Sequence, residues 1–380
     1  MNRVIGIIAA NYATEKLGRL TEERTIASLP YGGRYRMIDF ALSNMVNSGI
    51  DTVGVITPYK YRSILDHIGA GKAWGLDRKQ GGLFILPGSV YGIAQADFAL
   101  TLRDLRRNLV YLMRSPAEYV LLTSVSVVCN MDYRALLQNH IETGADLTVV
   151  YNIADAADPA RMAFQMDGER VVSLRRGVEA GDRTFLDCFV ISRALLLKML
   201  DWYEAVDYLD FFDALAGDLE KYRICAVRFD GYARSILNLQ EYFRYSMDLL
   251  DTRVSDELFS EEAPIMTKVQ DSPPTKYLHN ACVKNSLIPA GCVIEGTVEG
   301  SILFRGVKVG RGAVVKNSII MQSCVLEEGA CVENAMIDRG NVIAAGTVIR
   351  GTAGTAFVKE KAPAVTEITR GGLRVHEKKA

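Results

Sequence analysis

Few side chains in this sequence combine a reactive type with a useful spacing. The segment Gly32-Gly33-Arg34-Tyr35-Arg36 sets two guanidinium groups beside a glycine pair, and the arginine fork matches the oxygens of a phosphate. The same residues also read as a Gly-Gly turn with solvated arginines at a helix start, and both readings stay open. Four histidines, His67, His140, His279 and His376, are scattered, and none falls between Asn280 and Lys359. Ser126, Cys129 and Cys188 are conceivable nucleophiles, but no histidine or paired acid lies near them in sequence, so they read as buried strand residues. The seven cysteines (Cys129, Cys188, Cys225, Cys282, Cys292, Cys324 and Cys331) are odd in number and show no CxxC spacing, which argues against zinc or dithiol chemistry and for a reduced, cytoplasmic protein.

Any such site must be held by a chain of 380 residues, long enough for two domains. Lys and Arg total 44 against 45 Asp and Glu, so no global field would draw the protein to nucleic acid or an anionic membrane. No run approaches the ~20 apolar residues that span a bilayer. The opening run Val4 to Ala10 is short and lacks the charged flank of a signal peptide. From Val4 to about Phe229, short β-branched runs alternate with helical patterns, predicting an α/β domain with a mostly parallel sheet. Early strands are expected over Val4 to Ala10, Thr52 to Thr57, Tyr119 to Val128 and Leu147 to Tyr151. A crossover helix around Ile38 to Val46 should end at Ser48-Gly49. A polar, acidic helix and linker follow, and Ser272-Pro273-Pro274 closes them.

Beyond the prolines the texture changes. Aliphatic residues recur every five or six positions with one longer step: Ile288, Ile294, Leu303, Val309, Val315, Met321, Leu326, Val332, Ile337, Ile343 and Ile349. Three positions after each stands a small residue: Gly291, Thr297, Gly306, Gly312, Ser318, Cys324, Gly329, Ala335, Gly340, Gly346 and Thr352. This register marks a hexapeptide-repeat parallel β-helix, with one inward aliphatic on each flat side and a small residue at each corner. Strands of a β-sandwich would instead alternate by two. Stacked coils leave flat faces and end coils suited to association.

The run Tyr31-Gly32-Gly33-Arg34-Tyr35-Arg36-Met37-Ile38-Asp39-Phe40-Ala41-Leu42-Ser43-Asn44, continuing through Asn47-Ser48-Gly49-Ile50, resembles the glucose-1-phosphate adenylyltransferase (ADP-glucose pyrophosphorylase) family. Val53 to Thr57, Glu118-Tyr119-Val120, Met131-Asp132-Tyr133 and Ile337-Asp338-Arg339 extend the likeness over nearly the whole chain. It implies a Rossmann-like GT-A nucleotidyltransferase domain over residues 1–245, a linker over 246–275, a left-handed β-helix over 276–355 and a tail over 356–380. Members of that family join ATP and glucose 1-phosphate using Mg²⁺ held by two carboxylates, a chemistry that rests on cations and backbone donors around phosphates.

Against that pattern the chain departs at each phosphate-handling and metal-handling position. The family's glycine-rich loop corresponds to Ala10-Asn11-Tyr12-Ala13-Thr14-Glu15-Lys16-Leu17, where side chains fill the space a phosphate needs and Lys16 stands in for an arginine. Its Arg-Ala-Lys-Pro corresponds to Arg24-Thr25-Ile26-Ala27, so Ile26 replaces a phosphate-binding lysine. The two metal-binding aspartates correspond to Ser126 and Ser235, neutral hydroxyls that ligate a hard cation poorly. The sugar-phosphate segments correspond to Arg175-Arg176-Gly177 and Phe185-Leu186-Asp187-Cys188-Phe189, leaving Arg176 as a candidate phosphate ligand.

These departures are similar to those of the family's non-catalytic D-type subunits, and they imply lost catalysis, no metal site and no cofactor in this chain. Mg²⁺ would serve only a catalytic partner subunit, joined in a heterotetramer of glycogen synthesis. The resemblance places Arg34 and Arg36 beside the family's effector site, so a phosphorylated metabolite would bind there, and the basic tail from Lys359 to Arg374 would contribute. Asp39 and Asn44 are expected to cap and pack. Three alternatives remain: a slow nucleotidyltransferase with ligands rearranged to Asp97 or Asp132, a β-helix acyltransferase disfavoured by its missing histidine, and a metabolite sensor without a partner.

Overall fold

Val4–Ala9 is buried along its whole length, as a strand covered on both faces must be. Its one glycine answers to packing, since a Cβ on Gly6 would stand 2.7 Å from Met45 Sδ. In the computed structural model, residues 3–10, 15–57, 60–88, 101–352, 354–361, 366–369 and 372–375 are described. Asn11, Asp97 and His376 lie outside them. The chain forms two compact units interleaved in sequence. One comprises 1–29, 36–238 and 256–269; the other comprises 30–35, 239–255 and 270–380.

In chain order the strands before the coils are β1 (Val4–Ala9), β2 (Pro30–Tyr31), β3 (Tyr35–Arg36), β4 (Thr52–Thr57), β5 (Gly82–Pro87), β6 (Tyr119–Ser124), β7 (Val127–Cys129), β8 (Leu147–Ile153), β9 (Asp158–Asp167), β10 (Arg170–Val178), β11 (Arg183–Ser192), β12 (Ile224–Arg228) and β13 (Ala233–Ser235). Nine of them form one sheet in the order β5-β4-β1-β6-β11-β8-β12-β10-β9. The first four run parallel, as expected. The other half is more mixed than the expectation, because β11 lies antiparallel between β6 and β8, and β10 lies antiparallel to both β12 and β9. The strand expected to run unbroken from Tyr119 to Val128 stops at Ser124. There Ser126 N–H donates to Ser124 Oγ at 3.1 Å, a local bond that competes with the ladder. The chain then leaves the sheet and pairs β7 with β13.

The crossover helix α1 (Met37–Asn47) starts with the Arg36 N–H donating to Asp39 Oδ2 at 3.0 Å. It ends where Gly49 takes φ +79°, the left-handed conformation glycine supplies without cost.

In the other unit the coils stack three parallel flanks. The first holds Lys276–Tyr277, Val293–Ile294, Lys308–Val309, Val325–Leu326 and Val342–Ile343. The second holds Cys282–Lys284, Thr297–Glu299, Val314–Lys316, Cys331–Glu333 and Val348–Arg350. The third holds Ile302–Leu303, Ile319–Ile320, Ala335–Ile337 and Phe357–Lys359. This is the left-handed hexapeptide β-helix that the repeat predicts. Inside it Ile294, Val309, Leu326 and Ile343 stack along one flank, with Val298, Val315 and Val332 along the next. The longer step in the repeat conceals Val298: Thr297 opens a strand there rather than turning a corner. On the third flank Ile320 joins the core cluster in the place expected of Met321, which is buried as well. The corners carry left-handed residues, among them Asn317, Ser323 and Asn334.

A serine column seals one corner: Ser301 and Ser318 are fully buried. The Ser318 hydroxyl donates to Lys316 O at 2.6 Å and accepts Ala335 N–H at 3.1 Å, while Ser301 repeats the pattern one coil earlier. Residues 30–35 and 239–255 belong to the same unit as these coils and are tied to each other by Tyr31 Oη, which donates to Tyr245 O at 2.6 Å, and Tyr242 Oη, which donates to Pro30 O. Gly33 fits here because a Cβ at its φ of +79° would come 2.5 Å from Leu287 and 3.1 Å from the carbonyl of Leu303.

Candidate functional site

The residues corresponding to the two metal positions, far apart in sequence, meet at the β7–β13 pair. Ser235 lies opposite Val127 in the antiparallel register, and Ile236 N–H donates to Ser126 O at 2.8 Å. Ser126 is fully buried and Ser235 is nearly so. The Ser124 and Ser126 hydroxyls are 2.7 Å apart, and Ser126 Oγ stands 3.4 Å from Asp187 Oδ2. An ionised carboxylate only accepts. The hydroxyl order is therefore set: Ser126 donates to Asp187, and Ser124 donates to Ser126.

Asp187 is the site residue that the spacing of motifs does not reveal. It sits within an irregularity between Phe185 and Phe189 in the β11–β8 pairing, with φ +48°, a conformation uncommon outside glycine and tolerated best by Asn and Asp. The signal in the sequence is an aspartate where the resembling family carries glycine.

On the β13 side, Arg161 Nη2 donates to Ser235 O at 3.0 Å and Arg161 Nε lies 3.1 Å from Asp158 Oδ2. Asn152 Nδ2 holds the Ala233 carbonyl at 3.3 Å. The surroundings of the two serines thus consist of hydroxyls, backbone carbonyls that already accept hydrogen bonds, the Asp187 carboxylate, and a guanidinium paired with the Asp158 carboxylate. That donor set does not fit a hard divalent cation, which prefers several carboxylate or carbonyl oxygens with no cation alongside. Among the described residues, no group of three or more His, Cys, Asp or Glu side chains could hold a metal ion. Asp132 is engaged elsewhere: it caps the helix Tyr133–Thr143 by accepting Arg134 N–H at 2.9 Å, and it pairs with the Arg134 guanidinium at 2.7 Å.

Other candidate positions scatter. Ile26 is fully buried beside Arg24, whose Nε donates to Leu20 O at 2.7 Å. Lys16 is exposed in the 3-10 stretch Glu15–Thr21. Arg176 meets Asp213 with both ends of its fork, Nε to Oδ1 at 3.2 Å and Nη2 to Oδ2 at 2.6 Å, so a carboxylate holds the place proposed for a phosphate. Arg34 is exposed and lies 4.7 Å over the Tyr35 ring. Arg36 instead donates from Nη1 to Ser63 O at 2.8 Å and Oγ at 3.1 Å.

The family landmarks do cap and pack. Asp39 is fully buried and bonds His67 Nε2 at 2.6 Å. Asn44 Nδ2 donates to Cys129 O at 3.1 Å while its Oδ1 accepts Met131 N–H at 3.2 Å, so α1 fixes the exit of β7. Cys129 and Cys188 are buried free thiols. Burial pushes Cys129 up to about 12 despite the Asn44 bond, and it pushes Cys188 well above its ordinary value. Neither supplies a thiolate. No helix among the described residues is long and apolar enough to cross a membrane.

Two family descriptions match the chain, "Nucleotidyl transferase" over residues 5–171 and "GlmU-like, C-terminal hexapeptide" over residues 273–356. The chain is similar to glycogen biosynthesis protein GlgD of Bacillus subtilis (strain 168), 36% identical over 360 residues, covering 95% of this chain and 96% of the relative. A GlgD of Geobacillus stearothermophilus is 38% identical over 83% of both chains. The glucose-1-phosphate adenylyltransferase of the same organism is 33% identical, again over 83% of both.

Proposed function

The chain belongs to the family of bacterial GlgD proteins and glucose-1-phosphate adenylyltransferases, and from that premise we propose that it acts in glycogen synthesis as a catalytically impaired regulatory subunit. It joins a catalytic adenylyltransferase subunit in a cytoplasmic heterotetramer and changes that subunit's rate, effector response or stability. One observation carries this reading: the strand ends that meet at β7 and β13 present Ser126 and Ser235 rather than two carboxylates. Without a metal, the negative charges converging on phosphorus go largely uncompensated. The buried side chain of Ile26 adds nothing for phosphate. Mg²⁺ then belongs to the catalytic partner alone, and a phosphorylated effector engages Arg34 and Arg36.

The test is ADP-glucose synthesis by this chain alone, by the catalytic subunit alone and by the two co-expressed. The expected result is background activity from the first and an altered rate or effector response in the third. Turnover by the isolated chain at the catalytic subunit's rate, or a mixture indistinguishable from the catalytic subunit, refutes the proposal. A second reading, a weak nucleotidyltransferase, draws support from the Asp187 carboxylate beside Ser126, a ligand moved to a neighbouring strand. Isothermal titration of ATP with Mg²⁺ separates the two, since tight metal-dependent binding would favour the second.

A further inference from the structure

The end of the helix Arg193–Trp202 and the loop after it hold two aromatic rings half in water. Trp202 is 53% exposed and Tyr208 54%, although the stretch that carries them is fastened along its length. Backbone bonds close it into consecutive turns, from Val206 N–H to Tyr203 O and from Leu209 N–H to Val206 O, each at 3.0 Å. Others tie it to the helix Leu102–Arg107, where Leu102 N–H donates to Leu209 O at 3.1 Å and Arg103 N–H to Asp207 O at 2.7 Å. Two ion pairs reinforce the attachment. Arg103 donates from Nε and Nη2 to Asp207 Oδ1 at 3.0 and 2.7 Å, and Arg106 donates from Nη2 to Glu204 Oε1 at 2.6 Å. Each carboxylate thus meets its arginine through one oxygen. Among the described residues no hydrogen bond reaches Glu204 Oε2 or Asp207 Oδ2.

What is left open defines the chemistry of a ligand. An ionised carboxylate oxygen only accepts, so it calls for hydroxyl or N–H donors. Because an arginine already compensates each charge, neither a cation nor an anion is drawn strongly to the pair. The Trp202 ring adds an apolar surface beside these wet acceptors. Lys198 Nζ lies 4.4 Å over that ring, so the cation covers one face and the exposure belongs to the rest. A neutral molecule with an apolar face and a rim of hydroxyl donors is a pyranose: its ring hydrogens pack on an aromatic ring while its hydroxyls donate to carboxylate oxygens. We propose that Trp202 and Tyr208 form a docking platform for a neutral α-glucan, with Glu204 and Asp207 accepting from the sugar hydroxyls. Two rings on one loop suit a chain of sugars better than a single sugar, because weak contacts joined on one ligand reinforce each other. The choice of an α-linked glucose polymer rests on the role proposed in glycogen synthesis; the platform itself rests on the loop alone.

The sequence has two tryptophans, and Trp74 is only 1% exposed, so a change in emission on adding a sugar reports on Trp202. The experiment titrates the full chain with maltoheptaose, takes cellohexaose as the β-linked control, and runs native gels with and without glycogen. The expected result is a saturable change in emission with maltoheptaose and retardation by glycogen. Trp202→Ala and Tyr208→Ala should each weaken the retardation by roughly tenfold, the scale of a stacked aromatic anchor. Trp202→Phe should stay within roughly threefold of the parent, because it keeps a ring to stack on. Circular dichroism melts confirm that each variant is folded. Emission unchanged at about 10 mM maltoheptaose together with no retardation overturns the proposal, since any remaining affinity would be weaker than millimolar. So does either alanine variant retarded like the parent, or an equal response to cellohexaose, which would remove the α-glucan assignment. Trp202→Ala that fails to recover a co-expressed catalytic subunit while its retardation persists also overturns it, making the loop a protein interface. ADP-glucose synthesis by the isolated chain would instead refute the regulatory role and leave the sugar titrations as they are.

Discussion

Replacing Ser126 by aspartate would return the family's metal-binding carboxylate, yet the structure predicts that the change destabilises the chain. Ser126 is fully buried and its Oγ stands 3.4 Å from Asp187 Oδ2. Two carboxylates at that separation repel by about 5 kcal/mol at an effective dielectric of about 20. Sharing a proton relieves part of this, leaving a net loss of about 2–4 kcal/mol at neutral pH. Asp187→Gly removes the facing charge and places glycine at φ +48°, so alone it should be neutral or stabilise by about 1 kcal/mol. In the double variant most of the penalty disappears. The assay is urea unfolding of the four proteins, read as a double-mutant cycle. A coupling below about 0.5 kcal/mol would refute the placement of Asp187 against Ser126. Repeating the series with Mg²⁺ tests the weak-transferase reading as well: a midpoint raised only in Ser126→Asp would mean that Asp187 can complete a metal site. No ADP-glucose is expected from any of the four, because Ile26 remains buried where the family has a lysine.

Further predictions concern the coils, a histidine and the arginine pair. Val315→Asp buries a charge at a fully covered position and should cost several kcal/mol, melting neighbouring coils together in calorimetry and reducing recovery of a co-expressed catalytic subunit. Ser318→Ala leaves the Ala335 N–H without its acceptor and should cost about 1–3 kcal/mol in chemical denaturation. Burial holds His140 below its ordinary value of 6.5, so below that pH the unfolded chain binds a proton the native state refuses. Stability present at neutral pH should therefore fall as pH drops from 6.5 toward the depressed value, with a slope of at most about 1.4 kcal/mol per pH unit, and His140→Gln should flatten that part of the profile. Arg34→Ala in a mixed complex should weaken effector response by about 1.5–3 kcal/mol if Arg34 clamps a phosphate, whereas an unchanged dose-response with assembly intact would assign Arg34 to the surface.

The β-helix was legible because its signal is one-dimensional. An inward aliphatic recurs on each flat side, and the register survives in the sequence even where a coil is short, as the step over Val298 shows. The parallel half of the sheet was legible for a similar reason: β1, β4 and β6 are buried on both faces and read as continuous apolar runs. The β9–β10 pair was not. Those strands mix exposed charges such as Arg170, Arg175 and Arg176 with buried Val171 and Val178, and their apolar positions do not form the unbroken runs that mark a central strand. The break at Ser126 escaped for another reason, since Val125, Val127 and Val128 continue the β-branched pattern through it while a side-chain hydrogen bond to Ser124 redirects the backbone.

Losses at a site can be read from single positions; replacements cannot, because they come from pairs. Ser126 and Ser235 stand where carboxylates are expected, and each substitution is visible alone. That they share one strand pair is a property of topology. The groups around them belong to other segments: Asp187 reaches Ser126 from β11, Arg161 reaches Ser235 from β9, and Asp213 occupies the fork of Arg176. Each places a charge against a partner distant in the chain. Their common effect is electrostatic, since the guanidinium groups of Arg161 and Arg176 already meet carboxylates of the same chain. An anion arriving at either must displace Asp158 or Asp213, and at the more exposed Arg176 the net gain of such an exchange is small. A chain selected for turnover would leave those cations to its substrates. Here both guanidinium groups are already engaged by carboxylates of the same chain, as the proposed loss of catalysis would predict.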